Sequence, residues 1–475
     1  MKILMAASEM EPFVQTGPFA HALSALSREL QALDHEVSIV LPFYRSIMRD
    51  RKYSPQSTGV RFLVSIGNEK IPCEIFEIDT ACGIQAFFIG RDEYFDRPEP
   101  SGHSGYQNHS ARFTFYARCV VELARRISPT PDIIQCHNWQ AALIPVMIQD
   151  AHLPFKTVLS ISQLEHQGNF WSHDFALTNL PSRYFSPSGL EFYGSLNFLK
   201  GGILFADAIV LPSKHCVKEA QQVEHGCGLD GVLREHSKKL YGIHNGIDES
   251  IWNPEQDHLI RAFYSASNQK GKSMCSAELL SSSRLAPLPT GPVIAILSQL
   301  VTGAGFDLFL PALDRLLAED VRVIILGQTG NYDTALKVAA HKHSSKLSYQ
   351  VEYNELLIHQ LFAGVNIFLL PRKIELHRDS IMKALKYGAI PIVRTCSGLY
   401  PFIQDYDHAN HTGTGFLFYD NTSEALLDSL RRALNIFRDK DAWKGIVTRA
   451  MSKDFSWKSS ANCYEKLYAS LLSSS

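Results

Sequence analysis

The sequence lacks long apolar runs, closely spaced cysteine pairs and an excess of either charge. Its 46 basic and 48 acidic residues nearly cancel, which argues against nucleic acid or a membrane surface as a partner. The nine cysteines are scattered, which favours buried thiols in a reducing compartment over disulfides or a metal site. The start, MKILMAASEMEPF, is typical of a first strand rather than of a signal peptide. We therefore expect a cytoplasmic protein without membrane spans.

Two α/β patterns divide the 475 residues, a length too great for one hydrophobic core. The first opens with a strand over 2–7, a helix over 19–33 and a strand over 37–41, and the second opens at Pro292. This alternation predicts parallel sheets, so we expect two facing Rossmann-like domains with a cleft between them. Residues 255–291 are polar with few apolar runs, which predicts an interdomain crossing.

The stretch 363–394 predicts a ligand-binding edge. The apolar run 367–370 is typical of a buried parallel strand, and after a polar bend Ser380–Tyr387 predicts a helix. The loop of such a unit lies at the carboxyl end of the sheet, beside the free N–H groups of a helix N-terminus. One carboxylate, Glu375, lies in this loop.

Five segments, in order along the chain, resemble the bacterial glycogen synthase and plant starch synthase family. They are LPSRYFSPSGLEFYGSLNFLKGGILFAD (180–207), GCGLDGVLR (226–234), GIHNGIDESIWNP (242–254), GTGFLF (413–418) and DFSW (454–457). The resemblance implies the GT-B fold, an α/β class of two facing Rossmann-like domains. It also implies transfer of glucose from ADP-glucose to the non-reducing end of an α-1,4-glucan, with retention and without a metal or other cofactor.

The resemblance implies a division of the chain into four parts. Residues 1–255 would form an N-terminal domain on the acceptor side, and 256–291 would cross between the domains. Residues 292–450 would form a C-terminal domain on the nucleotide-sugar side. The last part, 451–475, would be a C-terminal helix that packs back on the N-terminal domain.

The resemblance also implies a set of site residues. His137, in HNWQ where the family has H-D-W-H, either contacts the sugar as in the family or is a hydrogen-bonded histidine of the cleft, and Glu375 is the second catalytic candidate. Asn197 and Lys200 match residues that face the cleft in the family, with helix packing as the open alternative. The other candidates for substrate binding are Gln15, Gly17, Asn245, Gln299, Ala304, His377 and Arg378.

The positions that resemble the family's phosphate-binding cations are neutral. Gln15 stands where K-T-G-G-L-A-D has lysine, and Pro18 removes a backbone N–H from the same loop. Gln299 and Ala304 stand where S-R-L-x-x-Q-K-G has arginine and lysine. Without a metal, the departing diphosphate must be held by cations and helix N-termini, and removing one such group costs roughly 10²–10³-fold in rate. The pattern predicts a donor site that is degraded or rewired.

The loop around Glu375 leaves alternatives open. Arg378 replaces the glycine that lies near the donor sugar in the family's F-E-P-C-G-L-T-Q. Glu375 is either a vestigial carboxylate paired with Lys373 or Arg378, or a residual sugar-binding group. The basic residues of the loop are either solvated or form a relocated phosphate grip, with Asp379 competing against a bound anion.

Two functions therefore remain. The first is a weak or altered α-1,4-glucan synthase that uses ADP-glucose or another sugar nucleotide, kept open by His137, Glu375 and Lys200. The second is a non-catalytic relative that binds α-1,4-glucan or a partner enzyme of glycogen metabolism, favoured by the missing cations.

Overall fold

The chain divides into two compact units in this computed structural model. It describes residues 1–50, 52–80, 83–96, 108–287, 290–301, 303–351, 354–371, 378–395 and 402–473, with the backbone alone at Gln299 and Arg378. One unit comprises Met1–Gly246 with Trp457–Ser475, and the other comprises Ile247–Ser456. The division therefore falls at Gly246, before the boundary predicted at residue 255. Among the described residues, no helix combines the length and the apolar character needed to cross a bilayer.

The first unit is built on a nine-stranded sheet and a small three-stranded sheet. Its strands are β1 (Lys2–Ala6), β2 (Glu36–Pro42), β3 (Gln56–Ile66), β4 (Glu69–Asp79), β5 (Gln85–Gly90), β6 (Ile133–His137), β7 (Lys156–Ser160), β8 (Asn169–Phe170), β9 (Glu191–Phe192), β10 (Ser195–Asn197), β11 (Ala208–Leu211) and β12 (Leu240–Gly242). Its helices up to the division are α1 (Pro18–Ala32), α2 (Arg45–Arg49), α3 (Asp92–Phe95), α4 (His109–Ala124), α5 (Asn138–Ala141), α6 (Leu143–Asp150), α7 (Phe198–Phe205), α8 (Lys214–Ala220) and α9 (Asp230–Glu235), with short 3-10 helices at Ser172–Thr178, Ser182–Tyr184 and Ser237–Lys239.

The large sheet has the strand order β12-β11-β7-β6-β1-β2-β5-β4-β3. Strands β1, β2 and β6 pair in parallel, which confirms the predicted β-α-β opening, whereas β3, β4 and β5 form an antiparallel extension. The order reverses between β1 and β6, which makes the ends of these two strands a topological switch point. Ligands of open α/β sheets bind at such points.

The second unit contains a six-stranded parallel sheet. Its elements are α10 (Lys270–Ser282), β13 (Val293–Gln299), α11 (Phe306–Leu317), β14 (Arg322–Gln328), α12 (Asp333–Lys342), β15 (Leu347–Gln350), α13 (Glu355–Gly364), β16 (Ile367–Leu370), α14 (Arg378–Lys386), β17 (Ile390–Arg394), β18 (Phe416–Phe418), α15 (Ser423–Arg438) and α16 (Lys440–Met451), and the last helix, α17 (Trp457–Ser473), belongs to the first unit. The order β15-β14-β13-β16-β17-β18 is that of a Rossmann fold, with its switch point between β13 and β16.

The segment predicted to cross between the domains lies inside the second unit. Residues 256–291 include α10, which the sequence did not predict because its buried side contains Gly271, Lys272 and Cys275 beside only two leucines. Tyr264 and Cys275 belong to the core of the second unit. A helix whose buried face is this poor in large apolar residues gives a weak periodic signal.

The C-terminal helix predicted within 451–475 is α17, and the helix before it, α16, belongs to the other unit. Helix α16 buries Trp443 and Ile446 in the second core, while α17 buries Tyr464 and Tyr468 in the first. The hydroxyl of Tyr468 donates to the side-chain carbonyl of Gln135 on β6, and both side chains are fully buried. This hydrogen bond fixes the last helix on the first unit.

Candidate functional site

His137 lies at the switch point of the first unit, as the last residue of β6. Its side chain is buried, and its Nε2 has no hydrogen-bond partner among the described residues. Burial lowers the pKa of His137 to about 3, so the ring is neutral at physiological pH. The ring of Phe19 lies 5.4 Å away, centroid to centroid. A neutral imidazole with one uncommitted nitrogen can exchange a hydrogen bond with a sugar hydroxyl.

The loop after β1 forms the other side of this switch point. The carboxylate of Glu9 accepts hydrogen bonds from the backbone N–H and the hydroxyl of Thr16, at 2.6 and 2.7 Å. Gln15 beside it is exposed, and Gly17 is extended, with φ −164°, where the chain enters α1. Pro18 is the first residue of the helix, so this N-terminus has one fewer N–H to offer an anion.

Asn197 and Lys200 are held by the protein itself. The side-chain carbonyl of Asn197 caps α7 by accepting from the N–H of Lys200 at 2.7 Å, and its amide donates to Gln167 and Asn169. The ammonium of Lys200 donates to the backbone carbonyls of Pro187, at 2.6 Å, and Glu191. Burial lowers the pKa of Lys200, against the attraction of Glu191. These contacts support the alternative of helix packing, while substrate binding by either residue stays a prediction.

Trp139, two residues after His137, is buried in the core of the first unit. It packs edge-on against Phe113 and Phe170, with ring centroids 4.8 and 5.6 Å away. Gly168 has φ +64°, and a Cβ added there would lie 2.5 Å from the Trp139 ring. The indole therefore fits against backbone that only glycine can supply.

The glycine-rich segment 226–231 contains a turn. Gly228 has φ +81°, and the carbonyl of Cys227 accepts a hydrogen bond from Gln167 at 2.9 Å. Asn245 is exposed and lies next to Gly246, where the units divide.

The loop after β13 meets Pro371, the residue that follows β16, at the switch point of the second unit. Gly305, at the start of α11, has φ +83°, and a Cβ added there would lie 2.2 Å from the carbonyl oxygen of Pro371. Ala304 is only 1% exposed, so the position that would carry the lysine holds a buried methyl group. The backbone of Gln299 ends β13 opposite Gln328. Glu375 and His377 lie outside the described residues, as do the side chains of Gln299 and Arg378.

Helix α14 follows the loop that carries Glu375, and its side chains bind the segment 249–257. Lys386 pairs with Glu249 at 2.9 Å, and the ammonium of Lys383 lies 4.0 Å from the ring centroid of Trp252. In the first turn, Asp379 pairs with Lys383 at 3.1 Å. A carboxylate at this helix N-terminus opposes anion binding there.

A buried polar cluster beneath α14 was missed by sequence reasoning. Trp252 stacks on His359 at 3.8 Å, and the Nδ1 of His359 lies 2.7 Å from a carboxylate oxygen of Asp257. The hydroxyl of Tyr387 donates to the same oxygen at 2.6 Å. Although burial alone would raise it, the pKa of Asp257 is lowered by the hydrogen bonds from His359 and Tyr387. The cluster ties the start of the second unit to the end of α14.

In the part of the chain that the structure describes, no group of three or more His, Cys, Asp or Glu could hold a metal ion. Among the described site residues, His137 has a buried Nε2 without a hydrogen-bond partner. Gln15, Pro18 and Ala304 offer no cation to a diphosphate.

Two units of this architecture, each with a switch point at the ends of parallel strands, define the GT-B class of glycosyltransferases. Residues 2–235 match the starch synthase catalytic domain family, and residues 291–435 match the family of glycosyl transferases group 1. The glycogen synthase of Opitutus terrae is 36% identical over 481 residues, covering 99% of this chain and 100% of the relative. Glycogen synthase 2 of Geobacter sulfurreducens is 36% identical over 487 residues, covering 98% of each.

A solved structure is similar over the same length. The catalytic domain of starch synthase IV from Arabidopsis thaliana, bound to ADP and acarbose, superposes with a TM-score of 0.82 and 26% identity, covering 99% of each chain. This chain therefore belongs to the glycogen synthase and starch synthase family of GT-B glucosyltransferases. The family and the fold predicted from the sequence are confirmed.

Proposed function

We propose that this family member binds α-1,4-glucan and that its transfer of glucose from ADP-glucose is weak or lost. The observation that carries the proposal is the buried methyl group of Ala304, at the position where the family's motif has a lysine. Gln15, at the other lysine position, is a neutral exposed amide. The family's reaction expels a diphosphate, whose developing negative charge requires preorganised cations or N–H groups.

Two helix N-termini near the switch points add little to anion binding. Helix α1 begins with Pro18, which has no N–H, and α14 carries Asp379 in its first turn. The half-charge at a helix N-terminus is modest even when all its N–H groups are free. It would not replace the lost cations.

The sugar side retains a group suited to its ligand. His137 is neutral and buried, with Nε2 uncommitted, so it can hydrogen-bond a hydroxyl group without the cost of burying a charge. The similar starch synthase IV was solved with acarbose, which supports a glucan as the ligand class. A regulatory role beside another enzyme of glycogen metabolism is compatible with this binding function.

An active transferase is the second candidate. It is favoured by the full-length similarity to glycogen synthases and by the ADP bound to starch synthase IV. In that case the basic residues 372, 373, 377 and 378 would supply the charge that the usual positions lack.

Calorimetry and a transfer assay on the purified chain separate the two candidates. We expect binding of maltooligosaccharide without micromolar binding of ADP or ADP-glucose, and without steady release of ADP in the presence of a maltodextrin primer. Micromolar binding of ADP-glucose together with elongation of the primer would establish the second candidate instead.

Restoring the cations tests the charge argument directly. The double variant Gln299→Arg with Ala304→Lys is expected to tighten ADP binding at least about ten-fold, because each regained cation can form a charge-assisted hydrogen bond. Val301→Lys, on the same loop at a side chain 49% exposed, is the matched control for added charge alone. An equal gain in the control, or no gain in the double variant, would show that residues 299 and 304 do not face the phosphates.

A further inference from the structure

Two aromatic side chains of the first unit are largely exposed to solvent. Trp171 is 68% exposed and Tyr193 is 86% exposed. Each directly follows a strand of the small sheet, whose order is β8-β10-β9. Large rings are costly to leave in water, so a protein that keeps two of them exposed on one small sheet offers a contact surface.

The register of the small sheet brings these rings to one end. Strand β10 is antiparallel to both neighbours, and Leu196 pairs with Phe170 on one side and with Glu191 on the other. In this register the next residue on each outer side, Trp171 or Phe192, lies opposite Ser195. Two strand spacings separate them, about 10 Å. The ring centroid of Tyr193 lies 4.7 Å from that of Phe192.

Both exposed aromatic residues lie in turns that are held by hydrogen bonds. Trp171 stacks on His173, with centroids 4.0 Å apart and planes at 25°, and its carbonyl accepts from the N–H of Asp174. Asp174 is bound in turn by the hydroxyl of Ser110 on α4, at 2.7 Å. On the other side, Glu191 accepts from the N–H of Gly194 at 2.7 Å and closes the turn that presents Tyr193. A rigid ring loses little conformational entropy when a ligand stacks on it.

We propose that Trp171, His173, Phe192 and Tyr193 form an aromatic ridge that binds an α-1,4-glucan chain outside the candidate sugar site. The proposal rests on the proposed glucan-binding function and extends it to a longer stretch of polymer. The ridge has no acidic, lysine or arginine side chain among its four members, and Ser195 provides a hydroxyl between them. Flat apolar rings beside neutral polar groups suit the alternating C–H and hydroxyl faces of a neutral polysaccharide.

Packed aromatic rings connect the ridge to the chain segment that carries His137. Phe170, the residue before Trp171, packs against Trp139 with ring centroids 5.6 Å apart, and Trp139 lies two residues after His137. A glucan held near His137 could thus continue onto the ridge within the same unit. The connection through these rings to the segment of His137 favours a polysaccharide over a second copy of the chain or another protein.

Binding of glycogen by affinity electrophoresis, and of maltoheptaose and maltose by calorimetry, tests the ridge on the full chain. Trp171→Ala and Tyr193→Ala are each expected to weaken glycogen binding roughly ten-fold, the loss expected for one stacked ring. Maltose, which is short enough to bind near His137 alone, should bind as tightly as to wild type. Trp171→Phe and Tyr193→Phe keep a flat ring and should retain most of the affinity for glycogen.

The matched control is Tyr419→Ala, which removes a tyrosine 61% exposed in the second unit. Wild-type affinity for glycogen in both ridge variants, or an equal loss in the control, would overturn the ridge while leaving glucan binding intact. A change of oligomeric state in the ridge variants, with glycogen binding unchanged, would assign the ridge to a second copy of the chain and overturn the proposal. Failure of the wild type to bind glycogen, maltoheptaose or maltose would overturn the glucan-binding function along with the ridge.

Discussion

Lys272 is a buried cation that joins the ends of two helices. Its ammonium donates to the carbonyls of Phe362 and Ala363 in the last turn of α13, at 3.3 and 3.1 Å, and to that of Tyr387 just beyond α14, at 2.8 Å. Helix C-termini carry partial negative charge, which suits a cation. Burial nevertheless lowers the pKa of Lys272 from 10.5 to about 7.

This shift makes the stability of the second unit depend on pH. Below pH 7 the lysine is protonated in both the folded and the unfolded state, and its burial then costs the most. Between about pH 7 and 10.5 the unfolded state binds one proton more than the folded state, so stability rises with pH at about 1.4 kcal/mol per unit. Over the whole interval the gain approaches roughly 5 kcal/mol.

The variant Lys272→Met isolates this contribution, because it keeps the length of the side chain and removes its titration. Chemical unfolding of both proteins is measured from pH 6 to pH 10, following the transition of the second unit. We expect the stability of wild type relative to the variant to be constant below about pH 7. Above pH 7 it should rise by about 1.4 kcal/mol per pH unit. Lys270→Met, at an exposed lysine on the same helix, should show no such slope relative to wild type. Parallel pH profiles for wild type and Lys272→Met would refute the reasoning.

Three further predictions follow from the first unit. Gly168→Ala should lower the free energy of unfolding by roughly 1–3 kcal/mol or more, since the residue has positive φ and faces Trp139; thermal unfolding measures this. Tyr468→Phe should cost about 1–3 kcal/mol, because it leaves the buried carbonyl of Gln135 without its donor; urea unfolding measures this. The affinity for maltooligosaccharide should show no titration of His137 between pH 8 and 5, since burial lowers its pKa to about 3; calorimetry across this range measures it.

Each of these has its own control. For Gly168→Ala the control is Gly59→Ala, which has φ +74° and open space around it and so introduces backbone strain without a clash. An equal loss of stability in both variants would mean that the clash with Trp139 is unimportant. Tyr241→Phe, at a partly exposed hydroxyl, should be nearly neutral. If the affinity of wild type falls as the pH drops through 6.5, and that of His137→Ala does not, then the histidine ionises in the folded protein.

The sequence predicted the strands of the parallel sheets well because their signal is local. The run Ile367–Leu370 is a strand with the same bounds in the structure, and the helix predicted over Ser380–Tyr387 ends at Lys386, just before Gly388 with φ +65°. Consecutive apolar residues predict buried strands, and single glycines predict helix ends.

Elements with polar buried faces were harder to predict. Helix α10 buries Lys272 where a periodic pattern would require an apolar residue, and so its segment was assigned to an interdomain crossing. The role of Lys200 was equally hidden. Its carbonyl partners belong to Pro187 and to Glu191, the first residue of β9, and the sequence pattern does not give the path of this segment.

The sequence alone determined the family, the α/β alternation and the neutral character of Gln15, Gln299 and Ala304, the residues that resemble the family's cation positions, because these are properties of residue identity and order. The tertiary structure decided which polar groups are already committed. It binds Lys200 and Asn197 to neighbouring backbone and side chains, and leaves the buried Nε2 of His137 without a partner among the described residues. The physical reason is that a hydrogen bond is satisfied by whatever lies within about 3 Å, and folding brings those partners from distant parts of the chain.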